Sequence, residues 1–188
     1  GENTVAEHVF GLLLTISHNL TEAIDRTRRG DFSPQGLQGF DLRGQTLGVV
    51  GTGAIGRHVV DIAGGFGMPV LAYDPHPDPE LEARAGVEYV DLETLLTDAD
   101  IITLHLPETD QTRGMIDAEA FGRMRDGVVL INTARGGLVD VHALLRALAD
   151  GKVRAAGLDV LPEEPVIREE TEVQRSLFQE EYDYRTLL

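Results

Sequence analysis

The chain has no cysteine and no tryptophan, and Lys152 is the one lysine among its 16 basic residues. Without cysteine there is neither a disulfide framework nor a thiolate zinc site. That absence alone does not fix a compartment. No run of about 18 apolar residues occurs, so no membrane-spanning helix is expected. The apolar stretch "VFGLLLTI" is short and has no basic segment ahead of it, unlike a secretory signal. Positive charge is scarce too: 32 acidic residues leave a net charge of -16. Such a surface repels phosphate backbones, so no nucleic-acid partner is expected. A cytoplasmic location is the default expectation. The near-absence of lysine fits an arginine-rich acidic surface, with adaptation to high salt as the alternative. The chain also lacks an initial methionine. It opens "GENTVAEH" and enters a helical pattern at once, which reads as a piece of a longer protein.

What is present is an ordinary globular mixture. The chain has 188 residues, 42% of them hydrophobic, which suits one domain with a substantial core. Val5, Val9, Leu12, Leu13, Ile16, Leu20 and Ile24 recur at helical spacing and predict one long amphipathic helix, capped by Asn3 or Thr4. "RRGDFSPQGLQGFDLRGQ" is polar and glycine-rich, so it reads as a loop. Strands and helices then alternate. "TLGVV", "PVLAYD", "DIITLHLP", "GVVLINT" and "RAAGLDV" read as strands, with helices predicted over 54–66, 92–97, 117–124 and 141–149. Continuously apolar strands alternating with helices imply a parallel sheet covered on both faces, a doubly wound three-layer α/β/α fold. After Pro165 the chain becomes charged, with Val173, Leu177 and Phe178 at helical spacing, and reads as an acidic helical extension over 166–188.

The first chemical signal is "GVVGTGAIG". Gly51, Gly53 and Gly56 follow an apolar strand and open a helix, with Asp74 closing the next strand. That order fits a dinucleotide: a tight turn, a bare backbone against the pyrophosphate, a helix packed close to its strand, and a carboxylate for the adenosine ribose. The same carboxylate would repel a 2′-phosphate, so NAD is expected over NADP. His76, two residues on, reads as a solvated loop histidine.

The second signal is "VLINTARGGLVD". An apolar strand runs straight into Arg135 and two glycines. Ligands of open α/β sheets bind at the carboxyl ends of the strands, where a guanidinium can grip a substrate carboxylate with two parallel hydrogen bonds. Asp140 is placed to cap the following helix. The next strand ends in "GLDVLPEEP", with Asp159 at its tip and Glu164 just beyond. A carboxylate at a site mouth can orient a histidine and raise its pKa.

Together "NTVAEH", "GTGAIGR", Asp74, "LHLPETDQTRGMI", "NTARGGLVD" and "GLDVLPEEP" resemble, in that order, the nucleotide-binding domain of the D-isomer-specific 2-hydroxyacid dehydrogenases, closest to the D-lactate-dehydrogenase-like branch. The resemblance implies a Rossmann-type domain over 1–165 that includes the N-terminal helix. It implies NAD(H) as cofactor, a small 2-hydroxy or 2-oxo acid as substrate, no metal, and a homodimer. Arg135 would bind the substrate carboxylate and the carbonyl to be reduced. Glu164 would pair with a catalytic histidine, and Asp159 would hold the nicotinamide carboxamide. Ala54, Ile55, Asp74 and Leu106 would line the dinucleotide, as would Pro107, Thr112, Thr133 and Ala134.

The sequence departs from that pattern in one respect. The family's general acid is a histidine downstream of the glutamate, and none of His8, His18, His58, His76, His105 and His142 follows Glu164. The separate substrate domain is missing from this chain as well. The chain alone is therefore expected to turn over little substrate. His105 is expected to be structural. An NAD-sensing corepressor-like module of the same fold is the alternative. A homocysteine-nucleoside hydrolase domain is disfavoured by "RGGLVD" and "LPEEP".

Overall fold

The computed structural model describes residues 1–162. Glu164 and the extension expected over 166–188 lie outside the described residues. The order is α1 (Glu2–Ser17), α2 (Leu20–Arg28), β1 (Leu47–Val50), α3 (Ala54–Phe66), β2 (Val70–Tyr73), α4 (Pro79–Glu82), β3 (Val87–Tyr89), α5 (Leu92–Asp98), β4 (Ile101–Leu104), α6 (Ala118–Arg123), β5 (Val128–Asn132), α7 (Val141–Ala149) and β6 (Val153–Leu158).

The six strands form one sheet in the order β3-β2-β1-β4-β5-β6, with every pair parallel. Alternate side chains of each strand point to opposite faces. Val49, Ile101, Val129 and Ile131 meet Val9, Phe10 and Leu13 of α1 and Val59, Val60 and Ala63 of α3 in one buried cluster. Val50, Ile102, Leu104 and Leu130 meet Leu95 and Leu96 of α5, Phe121 of α6 and Leu144 of α7 in the other. Both faces are covered, as the unbroken apolar runs require. The rings of Phe10 and Phe66 stack at 5.3 Å between centroids and tie α1 to α3. Among the described residues no helix is long and apolar enough to cross a membrane.

Three expectations need correction. The single N-terminal helix is two. Asn19 takes the left-handed conformation, with φ 51°, and breaks the helix between Ser17 and Leu20. Its side-chain amide donates to the carbonyls of Leu37 and Gln38 at 3.1 and 3.2 Å. The Phe40 amide donates to Ser17 O at 2.9 Å, and a Cβ on Gly39 would overlap that same carbonyl. The loop therefore docks where the helix ends. Leu20 and Ile24 continued the periodicity in sequence, yet they are exposed. The cap of α1 is Gly1, with no side-chain cap bond from Asn3 or Thr4. Finally, β3 and α4 were not anticipated, because each is only three or four residues long.

Replacing Asn19 by alanine removes two hydrogen bonds and puts a residue less tolerant of positive φ at the break. A loss of about 1–3 kcal/mol is expected in urea unfolding, with a smaller loss for Asn19→Gly. Equal stability of Asn19→Ala and the parent would show that another contact sets the break.

Candidate dinucleotide site

The strand order reverses at β1, which has β2 on one side and β4 on the other. A crevice opens there, at the carboxyl ends of the strands. Gly51 turns the chain out of β1 with φ 97°. A Cβ at that position would lie 2.7 Å from the carbonyl carbon and oxygen of His105, just past β4. A Cβ on Gly56 would overlap the carbonyl of Gly51, so α3 can sit this close only through glycine. Gly53, the N-cap of α3, instead faces open space, as a residue approached by a ligand should. Ala54 and Ile55 form the first turn of α3, Ala54 exposed and Ile55 half-buried.

Among the described residues, five α-helices follow a strand. In four of them an aspartate caps the first turn: Asp78 accepts from Glu80 N, Asp91 from Thr94 N, Asp117 from Ala120 N and Asp140 from Ala143 N. The expected cap by Asp140 is among them. Only α3 has no side-chain cap. Its first amides are left for an external acceptor, beside the positive end of the helix dipole.

Asp74 lies at the end of β2 with both oxygens anchored. Oδ2 accepts from Thr52 N at 2.7 Å, and Oδ1 from His76 N at 2.8 Å. Oδ2 also accepts from the Thr52 hydroxyl at 3.3 Å, so the acceptor capacity left for a ribose hydroxyl is on Oδ1. His76 is exposed, as expected, and its role is through its backbone. Arg57, which follows the glycine motif, pairs with Asp78 and Glu80.

Across the crevice, Leu106 is buried and Pro107 exposed. The Thr112 hydroxyl donates to Pro107 O at 2.6 Å and accepts from Thr109 N at 2.8 Å, which fixes this loop. His105 is packed beside Thr103, with 2.8 Å between Thr103 Oγ1 and its Nε2. Desolvation lowers its pKa from 6.5 to about 4. It is neutral at neutral pH and structural.

Beyond β5, Asn132 builds the next turn. Its side chain accepts from Ala134 N at 3.1 Å and donates to Arg135 O at 2.9 Å, while its carbonyl accepts from Asp159 N at 3.0 Å. It is 1% exposed. One side chain thus holds Thr133, Ala134 and Arg135 in place, and its backbone joins them to Asp159. Thr133 Oγ1 is buried without a hydrogen-bond partner among the described residues. A buried hydroxyl needs an acceptor or donor, so this position suits a polar group of a ligand. Arg135 is exposed, donates to Ala134 O at 2.7 Å, and meets no carboxylate among the described residues. Gly136 admits the backbone of Leu161 and Pro162 so closely that a Cβ would overlap it. The Asp159 carboxylate lies 3.4 Å from His8 Nε2 of α1. The structure therefore brings the glycine loop, Asp74, Leu106 to Thr112, Thr133 to Arg135 and Asp159 to one sheet edge. Among the described residues no group of three or more His, Asp or Glu could hold a metal ion.

These features suit a dinucleotide: a bare cradle, an uncapped helix, an orphaned hydroxyl and a pre-set carboxylate. The sequence model of the D-isomer specific 2-hydroxyacid dehydrogenase NAD binding domain matches residues 10–178. The chain belongs to this family. It is 43% identical over 160 residues to D-lactate dehydrogenase of Escherichia coli, covering 85% of this chain and 48% of that protein. It is 44% identical over 163 residues to hydroxypyruvate reductase of Thermotoga maritima, covering 86% of this chain and 52% of that one. D-lactate dehydrogenase from Aquifex aeolicus, solved with NAD and lactic acid, superposes with a TM-score of 0.89 at 36% identity, over 100% of this chain and 58% of that one. The chain spans about half the length of the curated relatives it matches.

Thr52 and Asn132 were missed as site residues. Asn132 did carry a signal, as a polar residue ending an apolar strand. Thr52 carried none, since it occupies a free position of the glycine motif.

The lowered pKa of His105 has a consequence for stability. Between about pH 6.5 and about pH 4 the unfolded chain binds a proton that the folded one refuses. The contribution is full above this window and lost as pH falls through it, by at most about 3 kcal/mol. Urea midpoints of the parent should fall from about pH 7 to about pH 5 more steeply than those of His105→Asn. Parallel slopes would show that His105 is not the group responsible.

Proposed function

We propose that this chain is the NAD(H)-binding part, over residues 1–165, of a homodimeric dehydrogenase that interconverts a small D-2-hydroxy acid and its 2-oxo acid. The observation that carries this reading is the pairing of a dinucleotide cradle at the exit of β1 with a guanidinium, Arg135, that meets no carboxylate among the described residues and lies two strands away on the same edge. Bound NAD(H) supplies the hydride chemistry. The residues of the chain do the rest. The first amides of α3 and the bare Gly51–Gly53 turn hold the pyrophosphate. Asp74 accepts from the adenosine ribose. Ile55, Leu106, Pro107 and Thr112 wall the dinucleotide, and Thr133 and Ala134 border its nicotinamide half.

Arg135 takes the substrate carboxylate in a two-pronged contact and polarises the neighbouring carbonyl. Asp159 accepts from the nicotinamide carboxamide and so selects the ring face presented to the substrate. Glu164 raises the pKa of a histidine general acid that these 188 residues do not contain. Asp74 disfavours a 2′-phosphate, and Arg57 of α3, the cation that reaches the loop after Asp74, is already held by Asp78 and Glu80. A homodimer fits the exposed apolar side chains of Leu20, Ile24 and Phe32, since the apolar face of α1 is used within the domain. A cytoplasmic location belongs to the same reading. Near-equal identity to a D-lactate dehydrogenase and a hydroxypyruvate reductase leaves the choice of 2-hydroxy acid to residues outside this chain. Nothing observed favours a corepressor-like module, and the relatives named above carry the names of enzymes.

Titration of the chain with NADH and NADPH tests the cofactor site. NADH should bind more tightly, and Asp74→Ala should weaken it by about tenfold or more. Equal binding of the two dinucleotides, or an indifferent Asp74→Ala, would overturn the assignment. A second assay tests the missing acid. With NADH and pyruvate the chain should run at least about 10²- to 10⁴-fold slower than the E. coli enzyme assayed beside it. A comparable rate would show that the chain holds its own proton donor.

A further inference from the structure

Behind the ribose site lies a chain of hydrogen bonds that the proposed function does not use. The backbone N–H of Asp78 donates to the Tyr89 hydroxyl at 3.0 Å. Tyr89 Oη lies 2.7 Å from Thr52 Oγ1, which lies 3.3 Å from Asp74 Oδ2. A backbone amide can only donate and an ionised carboxylate can only accept. Each hydroxyl has one hydrogen. Only one arrangement then satisfies all three contacts: Asp78 N–H to Tyr89, Tyr89 O–H to Thr52, and Thr52 O–H to Asp74. The direction is set at both ends.

Resting on the NAD reading above, we infer that Tyr89 is a positioning residue for the dinucleotide, acting through Thr52 to hold Asp74 in the orientation that receives the adenosine ribose. Tyr89 never needs to touch the cofactor. It stands on β3, the edge strand, and its ring packs against the core cluster beneath α3. Its hydroxyl grips two things at once. One is the Thr52 hydroxyl, inside the glycine loop and 5% exposed. The other is the amide of Asp78, whose own carboxylate caps α4 and takes Arg57. The β2–α4 loop that carries Asp74 is therefore pinned at its far end to the same phenol that orients its near end. A carboxylate ordered before the ligand arrives need not lose rotamer freedom on binding. The edge strand thereby becomes part of the cofactor site without lining it.

Tyr89→Phe removes one oxygen and keeps the ring in the core. Parent, Tyr89→Phe, Asp74→Ala and the double variant are each titrated with NADH and with ADP-ribose, with thermal melting to follow the fold. Tyr89→Phe should weaken both ligands by about three- to tenfold. In the Asp74→Ala background the same change should have an effect of less than about twofold, because the relay then ends on nothing. A merely structural tyrosine would cost the same factor in both backgrounds, and that outcome overturns the inference, as does a Tyr89→Phe that binds like the parent. If Tyr89→Phe melts out, Thr52→Val breaks the relay one link further on and is read by the same cycle. A parent chain that binds neither ligand overturns the proposed function itself, a result distinct from a parent that binds and a Tyr89→Phe that is indifferent.

Discussion

At the exit of β1 three backbones lie in contact with no side chain between them. Gly51 turns against the carbonyl of His105, and Gly56 rests on the carbonyl of Gly51. This contact sets how near α3 approaches the sheet. The depth of α3 in turn sets where Val59, Val60 and Ala63 meet Val49 and where Phe66 meets Phe10, so one half of the core depends on it. It also fixes the first turn of α3 over the crevice between β1 and β4. A methyl group at either glycine would shift both the packing and the site, because here they are one piece of geometry. That explains why the close approaches at Gly51 and Gly56 admit only glycine.

The same economy appears at β5. The apolar run Val128–Ile131 is buried, and Asn132 ends it by turning its amide back on the next three residues. A charge-bearing turn normally spends its cation on a neighbouring acid. Arg135 instead bonds its own loop at Ala134 O and meets no carboxylate among the described residues. Other arginines show the contrast: Arg57, Arg84, Arg113, Arg123 and Arg125 each sit on carboxylates. Gly136, crossed by Leu161 and Pro162, is what lets the backbone around Arg135 stay so compact.

How far the sequence speaks follows from what each residue answers to. Strands buried on both faces are long apolar runs, and five of the six were legible for that reason. β3 is a half-buried edge of three residues, too short to show a pattern. The break at Asn19 was hidden because Leu20 and Ile24 keep the helical spacing although the core never receives them. Site residues divide likewise. Gly51, Gly56 and Arg135 are visible because backbone geometry or charge singles them out locally. Tyr89 is invisible, since its meaning lies in Thr52 and Asp78, which only folding brings to it. Glu164 is legible only as part of a motif.

Charge then presents a problem that the fold resolves by position. A chain of net charge -16 has to attract an anionic dinucleotide. Long-range fields work against this, since acidic surfaces repel phosphates across a Debye length. Short-range groups must win. The helix ends show how. Asp78, Asp91, Asp117 and Asp140 quench the positive ends of α4, α5, α6 and α7, so part of the acidity is structural. Among the described α-helices that follow a strand, the one left unquenched is α3, whose end opens on the crevice. Its first amides adjoin the glycine turn, and further along the same edge stand the Thr133 hydroxyl, without a partner among the described residues, and the Arg135 guanidinium. An anion that approaches this surface therefore finds its hydrogen-bond donors already spent at the other four helix ends and free at this one. Among the described helices that follow a strand, the free positive end is the one beside the glycine turn.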